Sequence, residues 1–366
     1  MADLRIEQLL REMVKSKASD LHIRVGTPPI FRINGSLVKI FDTRIDPAMM
    51  DSFLDDIMNR DQKQRFETNK ECDFAVGARD MGRFRVNVFR QRGTIAVVIR
   101  HIKAKIPPFE ELGLPEVVKD LALTRRGLIL VTGTTGSGKS TTLASMLDYI
   151  NQNESVNIIT VEDPIEYLYN DNKAIISQRE LGVDTLSYAN ALRAALRQDP
   201  DVLLVGEIRD LETMAIALTA ADTGHMVFAT IHTTNATETI QRVLSMYPPH
   251  QHDEIRLLLA EVLAGIISLR LLPTKDGKGR VPAAEILVNT AAIKEYIKDK
   301  DKLAMVESAI AEGHMQYHSQ TFDQSLLELY NEEKISLDVA LNAATNRDDF
   351  ELKIRGITGT SERGWM

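Results

Sequence analysis

The octet Gly133-Thr134-Thr135-Gly136-Ser137-Gly138-Lys139-Ser140 fits the pattern G-x-x-x-x-G-K-[S/T] at every fixed position. It constrains the fold more than any other stretch, because such a loop works between a buried strand and a helix. The apolar run Gly127-Leu128-Ile129-Leu130-Val131-Thr132 supplies the strand, and Thr141-Thr142-Leu143-Ala144-Ser145-Met146-Leu147 the helix, with Leu143, Met146 and Leu147 spaced to face a core. Strand, loop and helix N-terminus together aim backbone N–H groups and the positive helix end at a polyphosphate. Gly133, Thr134, Thr135, Gly136, Ser137, Gly138, Lys139, Ser140 and Thr141 are the candidate nucleotide-binding residues. Lys139 would neutralise the β and γ phosphates of a nucleoside triphosphate, and the Ser140 hydroxyl would bind Mg²⁺. A glycine-rich turn that binds nothing has no need of the strand and helix on either side.

From Leu114 onward helical patterns alternate with the apolar strands Leu128–Val131, Val156–Val161, Val202–Val205 and Met226–Ile231, the mark of a parallel sheet wrapped by helices and so of an α/β fold. Sites in such sheets form at strand ends. One strand ends on Glu162-Asp163-Pro164, another on Gly206-Glu207, so two carboxylates converge on the triphosphate. Hydrolysis needs one carboxylate to hold Mg²⁺, directly or through water, and another to orient the attacking water. Either strand end taken alone could instead be a helix cap. His225 precedes the strand Met226–Ile231 and His232 follows it on the edge of the glutamates, where it could sense the γ-phosphate or have only a structural hydrogen-bonding role. Arg193 and Arg197, four apart, read as one helix face and are either trans-acting charges or solvated ion-pair partners.

Before this region lies a smaller α+β domain. An amphipathic helix with Ile6, Leu9, Leu10, Met13 and Val14 on one side leads to a strand at Ser19–Val25 and a hairpin turning at Asn34-Gly35. A helix starts with Asp46 as N-cap and Pro47 in first position. The strands Arg83–Arg90 and Ile95–Arg100 flank Arg92-Gly93. In the first of them Phe84, Val86 and Val88 share one face, while Arg83, Arg85 and Asn87 share the other, which is either a solvated cationic surface or one that reaches a nucleotide. Lys103-Ala104-Lys105-Ile106-Pro107-Pro108 changes composition and favours an extended connector. The expected domains are residues 1–102 and 114–366, with 103–113 as linker; the turn Asp276-Gly277-Lys278-Gly279 sets off the run Arg280–Val288, and the remainder is mostly helical.

The net charge of −8 divides unequally: residues 1–106 hold 20 Lys and Arg against 14 Asp and Glu, residues 107–366 hold 24 against 38. Opposite signs suggest surfaces that face each other, within a subunit or between neighbours. With Cys72 the single cysteine, disulfide frameworks and four-thiolate zinc sites are excluded, and a reducing compartment is expected. The N-terminus lacks a signal pattern and no apolar run approaches the roughly 20 residues of a bilayer span, so the expected location is cytoplasmic.

Four stretches in order, Thr132–Thr141, Ile159–Glu166, Asp199–Asp210 and Gly224–Asn235, resemble the Walker A, Asp box, Walker B and His box of the secretion ATPase superfamily. The resemblance extends to Ser19–Ile23 and Thr321–Leu326, nearly the whole chain, and is greatest to the type IV pilus retraction ATPases, the PilT type. It implies a RecA-like P-loop ATPase core preceded by a PAS-like domain, assembled as a homo-hexamer with ATP between the domains. It further implies that domain rotation during hydrolysis works on a platform protein of the inner membrane, so that the chain meets the membrane only through partners. By the same resemblance Glu162 becomes the catalytic carboxylate, Glu207 the Mg²⁺-side carboxylate, His232 the His-box residue, and Arg83 and Arg85 arginine-finger candidates. Leu303–Gly313 aligns with the retraction-specific helix Ala-Ile-Arg-Asn-Leu-Ile-Arg-Glu, with both arginines missing. Extension and secretion relatives usually carry a long extra N-terminal domain and often a four-cysteine zinc subdomain, which favours retraction over pilus extension or type II secretion. A nucleic-acid translocase is the alternative from another class, since residues 79–105 hold eight Lys and Arg. Only Phe84 and Phe89 could stack on bases there and the chain is acidic, so no direct nucleic-acid contact is expected.

Overall fold

A computed structural model describes residues 4–33, 35–78, 81–102 and 106–354. Asn34 of the expected turn, Arg79, Lys103 and Lys105 of the basic run, and the tail from Thr358 lie outside the described residues. The chain divides into two units, Met1–Lys105 with Glu166–Leu168, and Ile106–Ile165 with Tyr169–Met366.

In the first unit, α1 (Ile6–Lys15) buries Ile6, Leu9, Leu10 and Met13, the stripe that helical spacing predicts. It leads into β1 (Asp20–Arg24), β2 (Ile30–Ile33) and β3 (Ser36–Lys39). Helix α2 (Pro47–Ile57) starts where a cap and a proline dictate, with Asp46 accepting from the Met49 N–H at 2.8 Å. Then come α3 (Arg60–Asn69), β4 (Glu71–Ala78), β5 (Gly82–Gln91) and β6 (Thr94–Ile102). The strands form an antiparallel sheet in the order β3-β2-β1-β6-β5-β4. Its core gathers Leu9, Met13, Leu21, Ile23, Phe31, Phe53 and Phe84. Strand β5 splits as its alternation requires, with Phe84, Val86 and Val88 fully buried and Arg85 exposed.

The second unit opens with α4 (Val117–Ala122), β7 (Gly127–Thr132), α5 (Lys139–Asn153), β8 (Asn157–Glu162), β9 (Ile175–Glu180) and α6 (Tyr188–Ala195). It continues through β10 (Val202–Val205), α7 (Leu211–Asp222), β11 (Met226–Ile231), α8 (Ala236–Ser245), α9 (His252–Val262), β12 (Leu263–Pro273) and β13 (Arg280–Val288). The sheet order is β13-β12-β7-β11-β10-β8-β9, parallel throughout except for the β12–β13 hairpin. Successive side chains of β7 enter opposite layers: Leu128 and Leu130 pack with α6 to α9, Ile129 and Val131 with α4 and α5. Helices α10 (Ala291–Lys298), α11 (Val306–Glu312), α12 (His314–Tyr317), α13 (Phe322–Asn331), α14 (Leu337–Ala343) and α15 (Arg347–Ile354) follow. The fold is thus α/β, a parallel-sheet core preceded by a smaller α+β unit.

Three strands, β4, β9 and β12, escape the sequence pattern. β9 is an edge strand with one half-exposed face, and β12 starts at Leu263 directly after α9 ends at Val262, with no turn residue between them. Three details differ from expectation. Arg197 lies past the end of α6, its guanidinium donating to the Arg193 carbonyl at 2.9 Å, so the two arginines do not share a helix face. Leu303–Gly313 is not one helix but a 3₁₀ turn, Leu303–Met305, followed by α11. The retraction-helix pattern fits Ala292-Ile293-Lys294-Glu295-Tyr296-Ile297-Lys298-Asp299 in α10 better, with lysine at both arginine positions.

Candidate functional site

The phosphate loop takes its shape from its glycines. At φ +137°, Gly133 passes so near β12 and Ser137 that a Cβ would stand 2.5 Å from both the Leu269 carbonyl and Ser137 Oγ. Gly136 and Gly138 also have positive φ, at +81° and +104°, and Gly138 caps α5. The first-turn N–H groups of Lys139, Ser140 and Thr141 therefore lie at the end of β7, where no helical carbonyl precedes them. Lys139 is 9% exposed and folds over the loop, its Nζ donating to the carbonyls of Gly133 at 2.7 Å and Thr134 at 2.9 Å. Ser137 Oγ is buried without a hydrogen-bond partner. A glycine loop with an orphaned hydroxyl and a buried ammonium on its own carbonyls fits a polyphosphate that offers both groups an acceptor.

Both strand-end glutamates stand where the parallel sheet carries them. Glu162 is the last residue of β8 and 8% exposed, its Oε1 accepting from Thr160 Oγ1 at 2.7 Å and Gln178 Nε2 at 3.2 Å. Glu207 follows β10 by two residues. Its Oε2 accepts from Arg209 at 2.6 Å, and its Oε1 lies 3.3 Å from His232 Nε2. The Arg209 hydrogen bond holds the Glu207 carboxyl below the usual carboxylate range, against burial and with help from the charges of Arg209, His232 and Lys139. Gly206 brings the two strand ends together. Its N–H donates to the Val161 carbonyl at 2.8 Å, and a Cβ there would stand 3.2 Å from Glu162 Cα. Thr230 Oγ1 donates to the Gly206 carbonyl at 2.6 Å, and the Ile208 N–H to the Thr230 carbonyl at 2.9 Å, so β11 is tied in as well.

Lys139 and His232 are thus both within electrostatic reach of Glu207, and the backbone of Glu162 packs on that of Gly206. His225 is not among them. It lies at the other end of β11, its Nδ1 2.9 Å from the Ala220 carbonyl, in the structural role that the sequence left open. Arg193 pairs with Glu212. Arg83 and Arg85 belong to the first unit, where Arg85 lies 3.5 Å from Asp73. Arg90 pairs with Glu67 at 3.1 Å and Arg100 with Asp20 at 2.9 Å, so the basic run is interleaved with carboxylates. Among the described residues no group of three His, Cys, Asp or Glu side chains could hold a metal by itself. No helix among them is long and apolar enough to cross a membrane.

Sequence reasoning missed Thr160, Gln178, Tyr188 and Arg209 as parts of the site. Thr160 is two residues from Glu162 on one strand face, and alternation alone could have found it. Tyr188, whose hydroxyl burial pushes far up with the charges of Asp163 and Glu207 adding to it, comes from α6 and becomes a neighbour only in three dimensions.

The family described as type II/IV secretion system protein matches residues 2–342. The type IV pilus retraction ATPase PilT of Pseudomonas aeruginosa is 44% identical over 345 residues, covering 94% of this chain and 99% of the relative. The type IV pilus ATPase PilU of the same organism is 40% identical over 352 residues, covering 96% and 92%. A crystal structure of the pilus retraction motor PilT with bound ADP superposes with a TM-score of 0.89 at 47% identity, over 95% of this chain and 99% of that one.

Proposed function

The chain belongs to the type II/IV secretion system protein family, and on that premise we propose that it is an ATP hydrolase whose turnover drives retraction of type IV pili. It works as a homo-hexamer in the cytoplasm, against the inner membrane, and acts on the pilus platform protein. The observation that carries the reading is the convergence of the glycine loop with its buried lysine and of two glutamates at the ends of neighbouring parallel strands. Full-length similarity to a retraction ATPase and to an ADP-bound retraction motor supports the choice of reaction and of process.

In this reading the loop amides and Ser137 Oγ receive the polyphosphate, and Lys139 exchanges its two loop carbonyls for phosphoryl oxygens. Glu162, fixed in direction by Thr160 and Gln178, orients the attacking water and takes its proton. Ser140 and Glu207, directly or through water, would hold Mg²⁺, which when bound neutralises charge on the phosphoryl oxygens. His232, its Nε2 3.3 Å from Glu207 Oε1, reports the state of that carboxylate to the segment after β11. Arg83 and Arg85 are the candidate arginine fingers.

Lys139→Ala should leave a folded protein with no measurable phosphate release. A strain lacking this chain should be piliated but unable to retract; loss of pili altogether would reverse the assignment to extension.

A further inference from the structure

Three residues stand side by side across the sheet in register, Thr132 on β7, Ser268 on β12 and Glu285 on β13. All are buried, Thr132 and Ser268 completely and Glu285 to 6% exposure. Thr132 Oγ1 donates to Ser268 Oγ at 3.0 Å, and Ser268 lies directly across from Glu285 in the β12–β13 pairing, where its hydroxyl favours the ionised carboxylate. Glu285 Oε1 also accepts the backbone N–H of Ala236 at 2.6 Å. The two ends of this row are functional. Thr132 is the residue before Gly133, and Ala236 is the first residue of α8, directly after His232-Thr233-Thr234-Asn235. The same strand β12 supplies the Leu269 carbonyl against which Gly133 packs.

We propose that Glu285 is a positioning residue for the reaction: through Ser268 and the Ala236 N–H it holds the His232 segment in register with the strand that feeds the phosphate loop. The inference rests on the hydrolase reading above and adds to it a residue that never touches nucleotide. A buried carboxylate is a costly way to fill this place, and three polar partners in line would be better left out of a core that needed only packing. As a carboxylate it accepts from the Ala236 N–H and faces the Ser268 hydroxyl, so it orients both neighbours. Protonated, it turns one oxygen into a donor and reverses the order of the row.

The charged groups around it are Arg270 on β12, whose cation favours the carboxylate, and Glu307 on α11, whose charge opposes it. Burial is the largest influence and pushes the Glu285 carboxyl up to about 7, against the Ala236 N–H, Arg270 and Ser268. It is therefore ionised on the alkaline side of that value and protonated on the acid side.

The test is steady-state ATP turnover against pH for the full chain and its Glu285→Gln variant, whose amide mimics the protonated acid. Wild-type kcat should fall about three- to tenfold between roughly pH 8 and pH 6, while Glu285→Gln should be flat at the acid-side value with KM for ATP unchanged. Glu285→Ala combined with His232→Ala should lose less than the product of the single losses, because both act through one segment. Should Glu285 variants fail to fold, Ser268→Ala keeps the test open, since loss of its donor should move the acid limb to higher pH. An acid limb shared by wild type and Glu285→Gln, a limb unmoved by Ser268→Ala, or additive losses with His232→Ala overturns the inference. A wild-type chain inert towards ATP would sink the hydrolase reading itself, a result that no Glu285 variant can produce.

Discussion

Gly133 and Glu207 show how much a single residue is asked to do here. An alanine at Gly133 would collide with a backbone carbonyl of β12, at a φ that side chains avoid, whereas at Gly136 nothing lies within 4 Å of the added carbon. Gly133→Ala should therefore cost on the order of 1–3 kcal/mol and most nucleotide affinity, and Gly136→Ala only about 1 kcal/mol from its positive φ. Thermal melts with and without ADP would show it, and equal shifts for both variants would contradict the packing described. For Glu207 the sign follows from its lowered pKa. Its contact with Arg209 contributes stability above the ordinary carboxylate pKa and loses it as pH falls through the lowered value. Arg209→Ala should move the acid unfolding transition of the second unit to higher pH, read by circular dichroism; an unchanged midpoint would count against the pair.

Helix starts and turn residues are local, and it is at this scale that the sequence is most legible. The start of α2 needs only Asp46 and Pro47, neighbours in the chain, so the cap is found from sequence alone. Asp46→Ala should destabilise the first unit by about 1 kcal/mol in urea melts, and no loss would mean that packing rather than capping sets this end. Strands that owe their state to partners are another matter. Gln178 of β9 orients Glu162, yet the polar edge strand that carries it has neither apolar alternation nor turn signals strong enough to mark it. In β12 the apolar spacing suits helix and strand alike, and the pairing with β7 and β13 decides between them. The same holds for the mistaken alignment at Leu303–Gly313: a run of suitable composition breaks into a 3₁₀ turn and a short helix, while α10 spends Ile293 and Ile297 on the core and sets Lys294 and Lys298 on Glu261.

At the scale of the whole molecule the unequal charge of the two halves of the chain is the feature that bears on assembly. If oppositely charged surfaces meet between neighbouring subunits, the oligomer should be a hexamer by mass photometry with an ATP analogue and Mg²⁺ and should dissociate as salt rises past roughly 0.5 M. A chain that stays monomeric at every salt concentration would end the ring proposal.

The sequence by itself determined the phosphate loop, the strand and helix around it, the two acidic strand ends, the Asp46 cap of α2 and the β5–β6 hairpin turning at Arg92-Gly93, because each rests on residues close together in the chain. Only the tertiary structure decided which distant groups these residues meet: Gln178 on Glu162, Arg209 and His232 on Glu207, and the row from Thr132 through Ser268 to Glu285. The physical reason is that hydrogen-bond partners and buried charge depend on which strands lie side by side, and the sheet sets Thr132 beside Ser268, 136 positions on, and Ser268 beside Glu285.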